Sequence, residues 1–426
     1  MRSDTGIRAW LQTTTGIVAV LLAVQFLTGV LLAFYYVPSV DHAYTTVSYV
    51  EKVVSSGSWI RSLHHYGSQW LAVFVFLHVI RLFWSETYAV NRIQWIVAIL
   101  LLGLVMAAGG TGYSLPWDAR AFFSTRIAEG LMGGLPFAGR LARLWLLGGS
   151  EISSITLSRF FALHVLVIPA LIGAVVVWRL FRSQIAALIG PRDAIAGTVV
   201  FIALALWALK YPAPLGPAVT EAGADYLPRP GAQFLWLYQS LKYIPGGLGS
   251  IVGVVLPGIV LAVLVALPWL RRQRLIAGSL LGAGVVLVVI MTTASYLSDR
   301  RDPKTAKQFA RQSAAEEAWR REPFKPATIT LAATVNATAS SGAPEMYTKF
   351  CANCHGQHGE GAQQGPLRFP PLLDVSAKPR RSAEDIVALL KDPTAYGLQP
   401  PMRSFSTKLT EEQMREIAEW IVKLKR

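Results

Sequence analysis

Residues 61–83 read RSLHHYGSQWLAVFVFLHVIRLF, an apolar stretch that is long enough to cross a bilayer and carries His64 and His78 fourteen residues apart. In an α-helix, fourteen residues make almost four turns and advance the chain by about 21 Å, so both imidazoles fall on one face. Histidine within an apolar span is costly and usually functional. The stretch therefore predicts a membrane helix whose two histidines bind a metal or pack against neighbouring helices. A facing histidine on a second helix would favour metal binding.

The composition is that of a polytopic membrane protein. Of the 426 residues, 53% are hydrophobic and only 15% are charged. Much of the net charge of +15 lies in short loops between apolar segments, where Lys and Arg orient a membrane protein, so we expect no nucleic-acid partner. Segments of about 20 apolar residues predict seven spans, at residues 14–37, 63–84, 93–114, 159–181, 194–211, 249–270 and 274–297.

Clusters of arginine mark one end of these spans. By the positive-inside rule this end is cytoplasmic, which places the N-terminus in the cytoplasm and everything after residue 297 outside. We expect a multi-pass protein of a bacterial cytoplasmic membrane with a periplasmic C-terminal domain. The loop at 114–157 is expected to be external and to contain short amphipathic helices.

The fourth predicted span supplies a histidine that can face His64. His164 lies near the same end of its span as His64. Histidines on facing helices of a bundle can provide both axial nitrogens of a heme.

Several motifs of the membrane part resemble those of the cytochrome b family of quinol-oxidising bc- and bf-type complexes. They are Arg61-x-x-His64, His78-x-x-Arg81, Gly112-Tyr113-Ser114-Leu115-Pro116-Trp117, and Thr156-Leu157-x-Arg159-Phe160 before His164. The resemblance implies an all-α seven-span bundle with heme b bound by His64 and His164 and contacted by Gly29, Arg61 and Gly112. Its implied domains are a four-helix heme-binding part at 1–190, a three-helix part at 191–297, a charged and Ala/Ser/Thr-rich linker at 298–341, and a cytochrome c domain at 342–426.

The chain departs from the family pattern around the second heme. The family carries another histidine fourteen or fifteen residues after the first one on the fourth span, and this chain has Trp178 and Arg179 there. Two positions where the family has glycine are Thr15 and Ala98. We expect one heme b, at His64 and His164. The alternatives for His78 are a second heme b with an unusual or absent second ligand, and a packing role.

The quinol site of the family has also changed. Its loop glutamate, which accepts a proton from bound quinol, corresponds to Gly231 in Pro230-Gly231-Ala232-Gln233. A carboxylate within hydrogen-bond reach is the usual device for accepting such a proton. The alternatives are that this loop now only packs, or that another carboxylate substitutes for the glutamate. The candidates are Asp118, Glu151, Glu221 and Asp225.

The only two cysteines lie in Cys351-Ala352-Asn353-Cys354-His355, a C-x-x-C-H motif that indicates covalent attachment of one heme c. His355 is the expected proximal ligand. By similarity to small monoheme cytochromes c, Met402 is the expected axial ligand from the loop before the last helix, and a thioether there raises the reduction potential. Met346 and Met414 are the weaker candidates.

Together these features predict an electron-transfer subunit of a quinone-linked respiratory complex. It would pass electrons between the external heme b, its own heme c and a soluble carrier such as cytochrome c. Its expected partners are membrane lipid, quinone and a Rieske-type iron–sulfur or other redox subunit, with a homodimer implied by the family. The alternative is a heme-containing membrane anchor that relays electrons for a different external enzyme without quinol bifurcation.

Overall fold

The structure is a computed structural model that is almost entirely helical, as predicted. It describes residues 13–182, 190–223, 225–244, 246–270, 274–324, 343–356, 359, 361–364, 367–369, 371–372, 382–396, 402, 404–406 and 408–424. The chain divides into two units, Met1–Ala327 and Thr328–Arg426. The division falls inside the predicted linker at 298–341, whose Ala/Ser/Thr-rich part lies outside the described residues.

Seven of the described helices are long and apolar enough to cross a membrane, which confirms the predicted number of spans. The first helices of the first unit are α1 Thr14–Ala33, α2 Ala43–Lys52, α3 Gly57–Trp84, α4 Thr87–Val90, α5 Arg92–Tyr113, α6 Ala119–Gly133 and α7 Gly139–Leu147. Helix α8 consists of Ser154–Phe161 and Ile168–Arg182, which are joined by a π-helical turn at Ala162–Val167. The remaining helices are α9 Pro191–Lys210, α10 Leu235–Leu241, α11 Leu256–Ala266, which follows a π-helical turn at Ile251–Val255, α12 Arg274–Arg301 and α13 Pro303–Arg321. The short helices α6 and α7 lie in the loop at 114–157, as expected.

The bundle is built around α1 and α3, which run antiparallel along each other. Thr28 lies beside His64 and Thr14 beside His78, and this pairing fixes the direction of the two helices. Helix α9 packs against both of them. The shared core includes Leu21, which is completely buried. Because all three helices bury apolar side chains against one another, the two histidines of α3 are held at fixed levels of the bundle.

Helix α13 packs against the His64 end of the first unit. The Lys52 ammonium donates to the carbonyl of Trp319 at 2.5 Å. The Glu316 carboxylate accepts from the backbone N–H of Leu215 at 2.9 Å, and Gln312 bonds to the backbone of Leu227 in both directions. The charged segment after the last span is therefore part of the membrane unit up to the end of this helix.

The second unit is a small helical domain. Its helices are α14 Ala343–Phe350, α15 Ala352–His355, α16 Ala383–Lys391 and α17 Glu411–Lys423, and its two short antiparallel strands are β1 Ala362–Gln364 and β2 Leu367–Phe369. Tyr347, Ile417 and Ala418 are completely buried in its core. Helix α17 begins with a capping box, in which Thr410 and Gln413 satisfy each other's backbone N–H groups.

Candidate functional site

His64 on α3 and His164 on α8 face each other inside the bundle. Their ring centroids are 5.9 Å apart, with the ring planes at 83°. His164 lies in the π-helical turn of α8, and such turns occur frequently at functional sites. The structure thus brings together the two histidines that the sequence selects as a ligand pair.

Each of these imidazoles is held through its Nδ1 atom. The Thr28 hydroxyl donates to the carbonyl of Val24 at 2.6 Å, so it accepts the Nδ1–H of His64 at 2.9 Å. The Nδ1–H of His164 donates to the carbonyl of Ala108 at 3.0 Å. A hydrogen bond at one ring nitrogen fixes the tautomer and leaves the other nitrogen available to a metal. Both Nε2 atoms are therefore prepared as ligands.

Glycine lines the helix surfaces beside both rings. A Cβ added at Gly112 would lie 2.4 Å from Cε1 of His164, and one added at Gly29 would lie 3.1 Å from Cε1 of His64. The first distance is far below a van der Waals contact. Helices α1 and α5 approach the two imidazoles this closely only because these positions lack a side chain.

A buried ion-pair network lies one helical turn from His64. The Nε atom of Arg61 donates to Glu51 at 2.6 Å, and another nitrogen of Arg61 donates to the carbonyl of Ala213. Arg320 of α13 also donates to Glu51. Burial alone would raise the pKa of the Glu51 carboxyl, but the two guanidinium groups hold that pKa below its ordinary value. Arg61, the predicted heme contact, lines the central cavity while being held by this network.

The facing imidazoles open into a cavity of about 1230 Å³ that extends along the bundle to His78. This volume exceeds the usual range of about 300–1,000 Å³ for a single small-molecule pocket. The Nδ1 atom of His78 lies 2.9 Å from the Thr14 hydroxyl. Arg179 of α8 also lines this cavity. His65 also lines the cavity, and its Nε2 lies 3.0 Å from the Gln69 amide nitrogen.

The C-x-x-C-H residues of the second unit lie on one helical turn. Cys351 is buried, and Cys354 and His355 are half-buried on α15. Burial raises the pKa of the Cys351 thiol to about 12, so this thiol is protonated at neutral pH. Met402 packs against the core cluster that contains Cys351. The loop residues just before Met402 lie outside the described residues.

Both units match known protein families. Residues 5–184 match the family model described as cytochrome b/b6/petB, and residues 339–425 match the model for cytochrome c. Residues 5–184 thus carry a cytochrome b domain, and residues 339–425 carry a cytochrome c domain. These domains imply heme b and heme c, and they confirm the fold class and the resemblance inferred from the sequence motifs.

Curated relatives named as cytochrome b match parts of this chain. The menaquinol:cytochrome c reductase cytochrome b subunit of Geobacillus thermodenitrificans is 39% identical over 119 residues, which cover 28% of this chain and 53% of that protein. The cytochrome b of Apis mellifera ligustica is 25% identical over 235 residues, which cover 50% of this chain and 61% of that protein. The chain thus spans about half to three-fifths of the length of these relatives.

A solved structure shares the fold. A chain of "Hyperthermophilic respiratory Complex III" superposes with a TM-score of 0.53 at 20% sequence identity, covering 73% of this chain and 89% of that chain. At this identity the likeness concerns the fold alone.

The donor set of the cytochrome b domain fits a heme better than a protein-held metal ion. No group of three or more His, Cys, Asp or Glu side chains that could hold a metal occurs among the described residues. A metal ion held by protein alone takes three or four such ligands. Two imidazoles suffice for an iron whose other ligands come from a porphyrin. His64 and His164 would hold this group, and Gly29 and Gly112 would give it room.

Of the four carboxylates considered as substitutes for the family's quinol-site glutamate, only Asp118 lines the cavity. It accepts from the N–H of Ala121 at 2.8 Å and of Gly216 at 2.6 Å, and it pairs with Arg120 at 3.3 Å. These contacts make Asp118 a structural cap of α6. Glu221 and Asp225 are exposed, and Glu151 lies away from the cavity wall.

The sequence interpretation missed Asp299. This residue is 7% exposed, and its carboxylate lies 3.2 Å from the Arg229 guanidinium and 3.9 Å from the Lys242 ammonium. Arg229 lines the cavity two residues before Gly231. The last span was predicted to end at residue 297, but α12 continues to Arg301 and carries Asp299 into the bundle. An aspartate just beyond a predicted apolar span was the available signal.

The sequence interpretation also missed Thr14 and Thr28, whose hydroxyls lie within hydrogen-bond distance of the two histidines of α3. These threonines are fourteen residues apart on α1, the same spacing as His64 and His78 on α3. The matching spacing on two neighbouring helices was the signal that could have identified them.

Proposed function

We propose that this chain is the electron-transfer subunit of a quinone-linked respiratory complex similar to quinol:cytochrome c reductases. Electrons pass between a heme b held by His64 and His164, a heme c attached to Cys351 and Cys354, and a soluble carrier such as cytochrome c. His355 and Met402 are the axial ligands of the heme c. The observation that carries this proposal is the pair of facing imidazoles, each held at Nδ1 and directed into one cavity.

The proposed setting is a bacterial cytoplasmic membrane, with the N-terminus inside and the cytochrome c domain in the periplasm. The arginine-rich loops support this orientation. The two cysteines belong to the heme c motif, and a Rieske-type iron–sulfur or other redox subunit is a proposed partner. Membrane lipid, quinone and a second copy of this chain complete the proposed partners.

A second candidate function is a membrane anchor that relays electrons for a different external redox enzyme, without quinol bifurcation. The observation that favours it is Gly231 at the position of the family's proton-accepting glutamate. The cavity-lining carboxylate of Asp118 is engaged as a helix cap. On this alternative the loop at 228–233 packs against the bundle and accepts no proton.

Anaerobic mixing of the purified full chain with a menaquinol analogue separates the two functions. The quinone-linked function predicts that the quinol reduces heme b and that heme c is reduced after it. Both reductions are measured by optical absorbance. If dithionite reduces both hemes but the quinol reduces neither, the relay function replaces it.

A carboxylate restored to the loop sharpens this test. Gly231→Glu should accelerate quinol-driven reduction by about tenfold or more, because a positioned general base contributes roughly 10²–10⁴ to such a step. An added side chain at Gly231 first meets the flexible Gln233 side chain, at 2.9 Å. Gly247→Glu is the matched control, since a Cβ there meets nothing within 4 Å and Gly247 lies away from the cavity wall.

A further inference from the structure

Helix α7 presents an apolar face at the surface of the first unit. Its residues 139–147 read GRLARLWLL, with two arginines and no acidic residue. Leu141 is 72% exposed and Trp145 is 64% exposed, and Leu144 and the fully exposed Phe137 lie beside them. Positions three and four residues apart are neighbours on a helix, so these four side chains form one α7 stripe. Exposed apolar side chains that cluster in this way mark a site of interaction with a protein or a membrane.

The opposite face of α7 is fixed to the rest of the unit. Gly139 and Leu147 are buried. Arg143 donates to the Glu129 carboxylate of α6 through two nitrogens, at 2.7 and 2.9 Å, and this carboxylate is almost completely buried. Because these contacts hold the inner face, the α7 stripe stays directed outward.

The end of α7 is bonded to the start of a membrane span. The carbonyl of Trp145 accepts from Arg159 at 2.6 Å, and the carbonyl of Leu147 accepts from the Thr156 hydroxyl at 2.6 Å. Both donors lie in the first turns of the span Ser154–Arg179. Helix α7 therefore lies at the level where this span enters the bilayer.

The α7 stripe is continuous with the exposed side of that span. Ile155 is 57% exposed, and its Cγ2 would lie 2.7 Å from a Cβ added at Gly148, the residue that ends α7. Leu171 is 49% exposed further along the same span. The exposed apolar side chains of a span face acyl chains, so lipid is the neighbour of the stripe at this end.

The backbone at Phe137 holds its ring at the surface. Its φ angle is 61°, a left-handed conformation that is an outlier for a bulky residue. The turn is fixed by the N–H of Gly139, which donates to the carbonyl of Leu135 at 3.0 Å. Strain of this kind persists where the surrounding structure imposes it, and it occurs at functional sites. A phenyl ring held in this way fits an apolar phase better than it fits water.

We propose, independently of the electron route, that α7 lies in the bilayer interface and binds anionic phospholipid. The α7 stripe lies among the acyl chains, and the exposed Arg140 lies at the headgroup phosphates. Leucine and tryptophan on one side of a helix that also carries arginine are typical of interfacial helices. An arginine can cover apolar surface with its stem while its guanidinium reaches the headgroups. Since Arg143 is paired with Glu129, Arg140 provides the charge that favours an anionic lipid.

Spin labels on the full chain in phospholipid nanodiscs test the position of the α7 stripe. In power-saturation electron paramagnetic resonance, a label at Leu141→Cys should be more accessible to lipid-soluble dioxygen than to a water-soluble nickel chelate. Leu171→Cys is the lipid-facing reference. Glu317→Cys is the water-facing reference, because Glu317 has a side chain 72% exposed on the polar helix α13. The unsubstituted chain measures background labelling, and Trp145→Cys repeats the measurement on the same stripe.

Two results would overturn the proposal. The first is a Leu141 label with the accessibilities of the Glu317 label, which would place the α7 stripe in water. The second is a Leu141 label that neither reagent reaches, which would mean that protein covers the stripe. Electron–electron dipolar coupling between two such labels would identify that protein as a second copy of this chain.

The choice of lipid is tested by adding phosphatidylglycerol to phosphatidylcholine nanodiscs. The Leu141 label should then shift toward the accessibilities of the lipid-facing reference, and Arg140→Gln should abolish this shift because it removes the charge. Arg321→Gln is the matched control, since Arg321 has a side chain 83% exposed on α13. If phosphatidylglycerol causes no shift in the chain with Arg140, or if Arg321→Gln abolishes the shift equally, α7 does not select anionic lipid.

Discussion

The central cavity can be compared at two levels, that of His64 and that of His78. The α1 and α3 side is alike at both levels, and the α8 side differs. At both levels α1 and α3 provide a threonine hydroxyl bound to a histidine Nδ1 at 2.9 Å. On α8, His164 faces His64, and Arg179, fifteen residues later in the sequence, also lines the cavity. Helix α8 therefore distinguishes the two levels, since α3 presents the same group twice. The comparison teaches that a histidine spacing on one helix predicts which side chains share a face but does not predict which groups face them.

Removing His164 should give the largest effect, because it makes the His64 level resemble the His78 level. We expect His164→Leu to abolish the low-spin heme b signal, either by loss of that heme or by its conversion to a high-spin form. Optical spectra and a pyridine hemochrome count measure both outcomes. His42→Leu is the control, since His42 is exposed. A full low-spin heme b signal in the His164 variant would disprove the ligand pair.

The threonine hydroxyls of α1, which are common to both levels, can be removed one at a time. Thr28→Val and Thr14→Val remove the partner of Nδ1 at one level each and keep the side-chain shape. Loss of such an outer-shell partner typically weakens metal-site affinity by about 10–100-fold. After mild chaotrope washing, the heme b held by His64 and His164 should be lost more readily from Thr28→Val, whereas Thr14→Val should retain it. Equal loss of this heme from both variants would contradict its assignment to the His64 level.

The ion-pair network of Glu51, Arg61 and Arg320 lies at the His64 end, and breaking it gives the smallest expected effect, on stability. The pKa of Glu51 lies below its ordinary value of 4.5, so its stabilisation is fully present above about pH 4.5 and is lost as the pH falls through the folded-state value. Breaking this buried pair by Glu51→Gln should cost about 3 kcal/mol at neutral pH and flatten the acid dependence of the melting temperature.

Glu317→Gln is the matched control for that measurement. Its carboxylate is 72% exposed and pairs with Arg321 at 3.9 Å on the same helix, α13. Exposed pairs contribute little, so the melting curve should not move. Equal changes in melting temperature for the two variants would mean that burial of the Glu51 network does not increase the stability of the fold.

The sequence by itself determined the features that depend on local pattern. Apolar length predicts the seven spans, the fourteen-residue spacing predicts the His64 and His78 face, and the C-x-x-C-H motif predicts the attachment of heme c. The facing histidine, His164, was also predictable, because its position along an apolar span gives its membrane level. Each of these features follows from helix geometry or from neighbouring residues.

Only the tertiary structure decided which groups support those ligands. Thr28 meets His64 across 36 positions of sequence, and Thr14 meets His78 across 64. Arg320 reaches Glu51 from 269 positions away, after α13 has returned to the bundle. Side-chain contacts between distant segments depend on how helices rotate and cross, and no local period encodes those angles. The sequence therefore names the ligands, and packing determines how they are held and what faces them.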